Sequence, residues 1–433
     1  MANKREKFGW AMYDFANSGY TTVILTAIYN TYFVSVIASE YETGLATLLW
    51  TITIGIANAL VLLTAPLIGA IADYSNNKKK FLLATTFGCV FFTSLLFFTK
   101  QGDVALAVML VILSSIMFYS GENLIAAFLP EISNESNIGK ISGYGWALGY
   151  VGGLLVLMLC LVAVNWGQAN NQTAEEYIPM TLLIVSLCFA VASIPTFVWL
   201  KERGSKTVKP AGQSYASIGF NRLKHTWNHA HQYKDLFRFL IALTVFYCGI
   251  NTVIVLAAVY AQEVMNFETG DSIKLIIVVN ITAAIGAFVF GLIQDRFGAC
   301  RTQSMTLYLW IIAMLLAFFT SSEIMFWVVA NIIGLALGAS QSAGRTLIGL
   351  FSPENRHGEF YGLWGLAIKL SAIIGPMSYG FITFVTQGNH KIALLSTTLF
   401  FIAGLILLYR VNETRGKEAA KMDNISNQTN NKA

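Results

Sequence analysis

Asp14 and Asn17 stand near the start of a long apolar run, Trp10 to about Ile37. An acid at membrane depth costs about 2.5–3.5 kcal/mol on insertion scales, so it normally faces a cavity or a partner. Their spacing, continued by Thr21, places the three side chains on one helical face. We read that face as lining a water-filled pathway; the alternative puts Asp14 at headgroup level, a turn inside the helix. Comparable faces recur downstream. Ser115, Tyr119 and Glu122 make one, with Asn123 beside it, and Tyr247 with Asn251 makes another. Asn331, Gly334, Gly338, Gln341 and Arg345 follow steps of three, four, three and four, a single helical stripe. Asp14 and Glu122 suit proton uptake and release or the holding of a substrate ammonium, because burial changes a carboxylate's hold on its proton. Arg345 and Lys369 suit a substrate carboxylate, or neutralise the two acids in one state of a cycle, since intramembrane charges usually pair. A zwitterion would satisfy both signs at once. For each isolated asparagine, interhelical packing competes with a substrate role.

The elements that must position these residues are membrane helices. The chain has 433 residues, 55% hydrophobic and only 12% charged, against about 25% charged in soluble domains. Apolar runs fall at about 10–37, 45–72, 80–99, 104–128, 141–165, 178–200, 237–262, 272–293, 303–319, 324–349, 360–385 and 391–409. Each is long enough to cross a ~30 Å core as a helix. No short apolar segment with a cleavage site precedes Trp10, so the first span is expected to be permanent. Spans one, four, seven and ten hold the polar residues, whereas three, six, nine and twelve are Leu, Phe, Ile and Val faces suited to lipid. That period suggests three-helix units repeated four times. Gly69 to Asp73 and Gly291 to Asp295 recur 222 residues apart, and Pro130-Glu131 and Pro353-Glu354 recur 223 apart. Two offsets this close, in equivalent loops, argue for two homologous halves. The expected organisation is a six-helix bundle over 1–200, a linker with a surface helix over 201–236, a second bundle over 237–410 and a tail over 411–433.

Charge placement orients these spans. Lys4, Arg5, Lys7, Lys78, Lys79 and Lys80 share one side with the basic central segment and with Arg410, Arg415, Lys417, Lys421 and Lys432. Only Lys100, Lys274 and Lys391 fall opposite, so both termini are expected in the cytoplasm. These clusters orient helices and imply no nucleic acid. The five cysteines are scattered without metal-ligand spacing and read as packing residues. No phosphate-binding G-x-x-x-x-G-K-[ST] is present, so uphill movement would draw on a gradient or a partner subunit. In the linker, Ala216, Phe220, Leu223, Trp227 and Ala230 would form an apolar stripe on a helix lying on the membrane surface. His225 and His229, with His231 nearby, lack the accompanying ligands of a metal site. Neither metal nor cofactor is expected.

Twelve spans in two repeated sixes, with G-x-x-x-D after the second and eighth, resemble the major facilitator superfamily. Gly291, Asp295, Arg296, Gly298 and Arg301 follow its inner-loop motif closely; Gly69, Asp73 and Lys78 to Lys80 follow it loosely. Within it, Trp10, Tyr13-Asp14-Phe15-Ala16-Asn17-Ser18 and Tyr20 resemble the signature of the autophagy-related vacuolar effluxer-like family. Phe128-Leu-Pro130-Glu131, Ser142-Gly143, Gly145-Trp-Ala-Leu-Gly149-Tyr, Glu359-Phe-Tyr-Gly362, Lys369 and Gly375-Pro376 agree too. The resemblance implies an all-α integral membrane fold of two pseudo-symmetric bundles. It also implies efflux of neutral amino acids, as in the fungal members, and, for a chain of this compact size, a bacterial inner membrane.

The expected function is secondary transport of a small polar solute by alternating access, with protons as the candidate coupling ion. An amino acid or similar zwitterion is the first expectation; a sugar, nucleoside or drug-like compound is the alternative. Asp73 and Asp295 are expected to pair with nearby cations, Arg296 and Arg301 included, across the inner seam, with Gly69 and Gly291 beside them; the competing role is plain capping of helix ends. Gly145, Gly149, Gly152 and Gly153 resemble the glycine-rich motif of superfamily antiporters, which implies antiport; close packing explains them equally well. No H-E-x-x-H or G-x-S-x-G motif supports an enzyme. A non-transporting sensor would not need four converging polar stripes. The working unit is expected to be a monomer.

Overall fold

A computed structural model describes residues 2–41, 43–203, 214–228, 231–265, 267 and 269–430. Among the described residues, twelve helices are long and apolar enough to cross a membrane. The first six are α1 (Lys4–Ile37), α2 (Leu45–Ser75), α3 (Lys78–Phe98), α4 (Val104–Ile132), α5 (Ile138–Ala169) and α6 (Ala174–Trp199). The second six are α7 (Lys234–Ala257), α8 (Lys274–Phe297), α9 (Ala299–Phe319), α10 (Glu323–Phe351), α11 (His357–Val385) and α12 (His390–Leu408). Backbone polar groups in lipid must be satisfied within the segment, which is why the chain crosses only as helices. Twelve crossings return both chain ends and the linker to one side of the bundle, here called the terminal face.

The first span departs from the regular helix expected of it. Beyond Gly19 it widens into π-type turns over Tyr20–Ala27 and Phe33–Ile37, broken at Ile28. The change begins directly after Gly19. There Thr22 and Thr26 hydroxyls donate to the carbonyls of Ser18 and Thr21, at 3.0 and 2.9 Å, and compete with the ladder.

Each half has its own core. Trp10, Tyr13, Tyr20, Phe33, Phe128 and Phe189 fill the first. Phe239, Phe246, Trp310 and Phe401 fill the second, with Trp310 stacked on Phe401 at 5.1 Å. The outer helices turn apolar side chains outwards, such as Phe87 on α3, Leu187 on α6, Phe319 on α9 and Leu399 on α12. At the terminal face the halves repeat one device. Arg203, after α6, pairs with Glu6 on α1 at 2.6 Å; Arg415, after α12, pairs with Asp235 on α7 at 2.5 Å. Glu202 accepts the Lys78 amide at the start of α3 (2.5 Å), and Glu413 accepts the Cys300 amide at the start of α9 (2.9 Å). The acid following each sixth helix thus caps the third helix of its own half, where free N–H groups need an acceptor.

The linker carries a helix, Tyr215–Asn228. Its Ile218, Gly219 and Thr226 are buried, with Gly219 set against Leu67 and Ile71 of α2. Phe220 is exposed. The side chains of Ala216, Leu223, Trp227, Ala230, His225 and His229 lie outside the described residues. Of the apolar stripe read from sequence, only the Phe220 side chain is among the described residues. A tail helix, Glu413–Asn430, follows α12. Its Gly416 lies on Phe351, and its Lys421 reaches Glu135 of the α4–α5 loop at 2.6 Å.

Candidate functional site

The halves meet along two seams. Where α5 crosses α8, Gly143 and Gly291 face each other, and a Cβ on Gly143 would strike the Ala287 carbonyl and the Gly291 backbone. Where α2 crosses α11, Gly69 and Gly358 stand in the same relation. Close backbone approach of this kind is what small residues permit in a membrane. Tyr144 stacks on Phe288 at 5.5 Å beside the first seam.

Loop aspartates fasten both seams at the terminal face. Asp295, at the end of α8, accepts the amides of Gly139 and Lys140 at the start of α5, both at 2.8 Å. Asp73, at the end of α2, accepts the Glu359 amide at the start of α11 at 2.9 Å. Each aspartate therefore caps a helix of the opposite half, where the helix dipole favours a negative charge. Of the expected gate cations, neither Arg296 nor Arg301 pairs with Asp295 among the described residues. Arg296 lies over the Phe297 ring, 5.6 Å from its centre, and Arg301 is exposed. The reason is local. Gly298, at φ 93°, turns the chain directly after α8 and sets Arg301 beyond the seam, while Arg296, still on α8, lies against its own neighbour Phe297. On the other side Lys78, buried, lies 3.5 Å from Asp73 and also contacts Glu131.

Deeper in, α1, α4, α5, α7, α10 and α11 bring charged groups together. Arg345 on α10 donates to the Asp14 carboxylate on α1 at 2.7 Å, an ion pair across the two halves. Its guanidinium lies between the rings of Trp10 (4.6 Å) and Trp146 (5.1 Å) and donates to the Ser142 carbonyl at 2.8 Å. Gly145 makes room for this: a Cβ there would collide with the Asp14 carboxylate and the Arg345 guanidinium. Buried charges persist when paired, and each of these has the other, with Ser142 taking further guanidinium donors.

The second pair of opposite charges is arranged differently. Glu122 on α4 is half-buried and lies within electrostatic reach of Lys369 on α11, yet the two form no ion pair. The Lys369 ammonium sits 2.9 Å from the centre of the Tyr119 ring, a cation–π contact. Around these groups stand buried donors without a hydrogen-bond partner: the Tyr247 hydroxyl and the indole N–H groups of Trp146 and Trp364. Tyr150 donates to Gln341, joining α5 to α10.

Of the residues singled out by sequence, Asp14, Arg345, Glu122, Tyr119, Tyr247, Gln341 and Lys369 converge here. Asn123 packs on Gly365 of α11, and Asn251 donates to Ser371 at 3.0 Å within its own half. Asn17 is buried on α1, and Asn331 donates back to its own helix at Trp327, 2.7 Å. Trp146, Ser142, Tyr150 and Trp364 were not singled out for this site. The available signal was an aromatic residue set between Gly145 and Gly149, where close packing must aim a ring inwards. The inter-half bonds described run from the terminal face up to Tyr150 and Gln341, so that end of the interface is closed.

The family described as vacuole effluxer Atg22 like matches residues 46–421. The uncharacterized MFS-type transporter YxiO of Bacillus subtilis is 24% identical over 97% of this chain and 98% of its own. Autophagy-related protein 22 of Yarrowia lipolytica is 26% identical over 71% of this chain, and the match spans 56% of that longer protein. Among solved structures, the proton:xylose symporter XylE has a TM-score of 0.74 at 14% identity, covering 95% of this chain and 96% of that one. The human organic anion transporter MFSD10 has a TM-score of 0.72 at 13% identity, covering 94% and 99%.

Proposed function

This chain belongs to the Atg22-like vacuole effluxer family and has the major facilitator fold of a membrane transporter; from there we propose that it carries a small zwitterion, such as a free amino acid, by alternating access. The observation behind the choice is the contrast between the two charge pairs. Asp14 and Arg345 satisfy each other. Glu122 and Lys369 face the same interface unjoined, one able to hold a substrate ammonium and the other a carboxylate. Tyr247 and Trp146 add donors for remaining acceptor oxygens. A sugar or nucleoside would leave both charges unmatched.

In this cycle Asp73 and Asp295 act as the gate. They hold the terminal face shut while the solute enters from the opposite side, and the α5 and α11 amides must be released for it to leave. Proton coupling through Glu122 fits the same geometry, because a proton on Glu122 and a solute ammonium would compete for one carboxylate. The basic residues on the terminal face support a cytoplasmic placement of both ends. Similarity to the Bacillus subtilis protein supports a bacterial inner membrane. The pathway lies within one chain, so a monomer suffices.

The test is a thermal-shift screen of purified protein against amino acids, peptides, sugars and nucleosides, followed by flux of the hits in proteoliposomes. Zwitterionic amino acids are expected to stabilise the protein, and Lys369→Met to abolish that shift. A sugar or nucleoside hit whose flux is unaffected by Glu122→Gln and Lys369→Met would overturn the proposal.

A further inference from the structure

Three successive lysines open α3, and they are used differently. Lys78 is buried against Asp73 and Glu131, and Lys79 donates to the Leu200 carbonyl at 2.7 Å. Lys80 is exposed and, among the described residues, makes no hydrogen bond or ion pair. It borders a cavity of about 270 Å³ between the α2–α3 turn and the first turn of the linker helix. Ser75, Asn77 and Tyr215 give that cavity a polar side; Ile71 and Phe81 give it an apolar one. Among the described residues that line it, Lys80 is charged and none is acidic.

We propose that this cavity binds the phosphate of an anionic phospholipid from the leaflet at the terminal face. A water-soluble anion has no use for an apolar wall, whereas a lipid presents a charged head and a hydrocarbon body together. The helix below the cavity is laid out for that body. Leu83, Phe87 and Phe91 follow Lys80 at steps of three, four and four on the exposed face of α3, at 52%, 70% and 47% exposure. From Lys80 to Phe91 the helix rises about 16 Å, which is half of a ~30 Å hydrocarbon core. Lys80 would hold the phosphate, Tyr215 and Asn77 the glycerol or headgroup oxygens, and the α3 stripe an acyl chain. The site joins the linker helix to the turn that follows Asp73, so its occupant stiffens the closed seam between α2 and α11.

The full-length protein is purified in detergent and its melting temperature measured with added phosphatidylglycerol, with phosphatidylcholine of the same chains, or with inorganic phosphate. Phosphatidylglycerol is expected to raise the wild-type melting temperature by several degrees, and Lys80→Gln to remove most of that rise. Lys224→Gln, an exposed lysine farther along the linker helix, is expected to leave it unchanged. Native mass spectrometry should show phosphatidylglycerol retained by the wild type and lost from Lys80→Gln. Equal shifts with both lipids, or a full shift in Lys80→Gln, would overturn the site. An equal shift with inorganic phosphate would overturn its lipid character.

Discussion

Asp14 and Arg345 are both charged and both buried, and each is tolerable there because of the other. Removing one member of such a pair typically costs about 3–5 kcal/mol, since the other charge is left alone, whereas replacing both is far milder. Asp14→Asn is therefore expected to lower the melting temperature clearly, and adding Arg345→Gln to recover part of the loss. Thermal denaturation of the purified variants checks this; additive losses would show that the pair does not act as a unit. Glu122 carries a different expectation, because it lacks a bonded partner. Glu122→Gln should flatten the dependence of transport on pH while leaving the protein folded, measured as initial flux across imposed pH steps. A pH profile identical to that of the wild type would remove Glu122 from the proton path.

Among the elements, α5 carries the most cross-half contacts: its first amides are capped by Asp295, Gly143 lies on α8, and Ser142 and Tyr150 bond α10. An acid capping a helix N-terminus is worth about 0.5–2 kcal/mol, enough to bias a gate without welding it. Asp295→Ala, which removes the acceptor altogether, is expected to slow uptake by about tenfold or more, since 1.4 kcal/mol corresponds to a factor of ten, while membrane insertion stays normal. Hydrogen exchange at the Gly139 and Lys140 amides should accelerate in the same variant. Unchanged exchange together with full transport would exclude Asp295 from the gate. Gly143→Leu acts on the same seam by bulk. It should block closure at α5 and α8 and abolish turnover, whereas a leucine on the lipid-facing side of α5, as in Val162→Leu, should do neither.

At the scale of the whole molecule, the linker helix touches both halves. Gly219 rests on α2, and Thr226 bonds Glu359 at the start of α11, with Arg222 at 3.9 Å from the same carboxylate. The duplicated bundles are thus joined by more than a tether, and rocking one against the other must disturb this contact. A carrier built this way should show saturable flux and countertransport, in which unlabelled solute on the far side accelerates exit of labelled solute. A sensor on the same fold would move nothing. Reconstituted vesicles with the solute identified by thermal shift distinguish the two.

The twelve spans, the duplication and the polar character of α1, α4, α7 and α10 could be read from the residues in order. Hydropathy and helical period are local properties, and a bilayer obliges each crossing segment to satisfy its own backbone. The partners of the charges could not be read that way. Asp14 and Glu122 each had Arg345 and Lys369 as possible neighbours, and only the tertiary approach of two residues 331 apart in sequence assigned Asp14 to Arg345. Sequence likewise set cations beside Asp295, yet the amides of α5 take the carboxylate, while Arg296 lies over Phe297 and Arg301 follows the turn at Gly298. A pairing is decided by distances across the fold, which the order of residues does not contain.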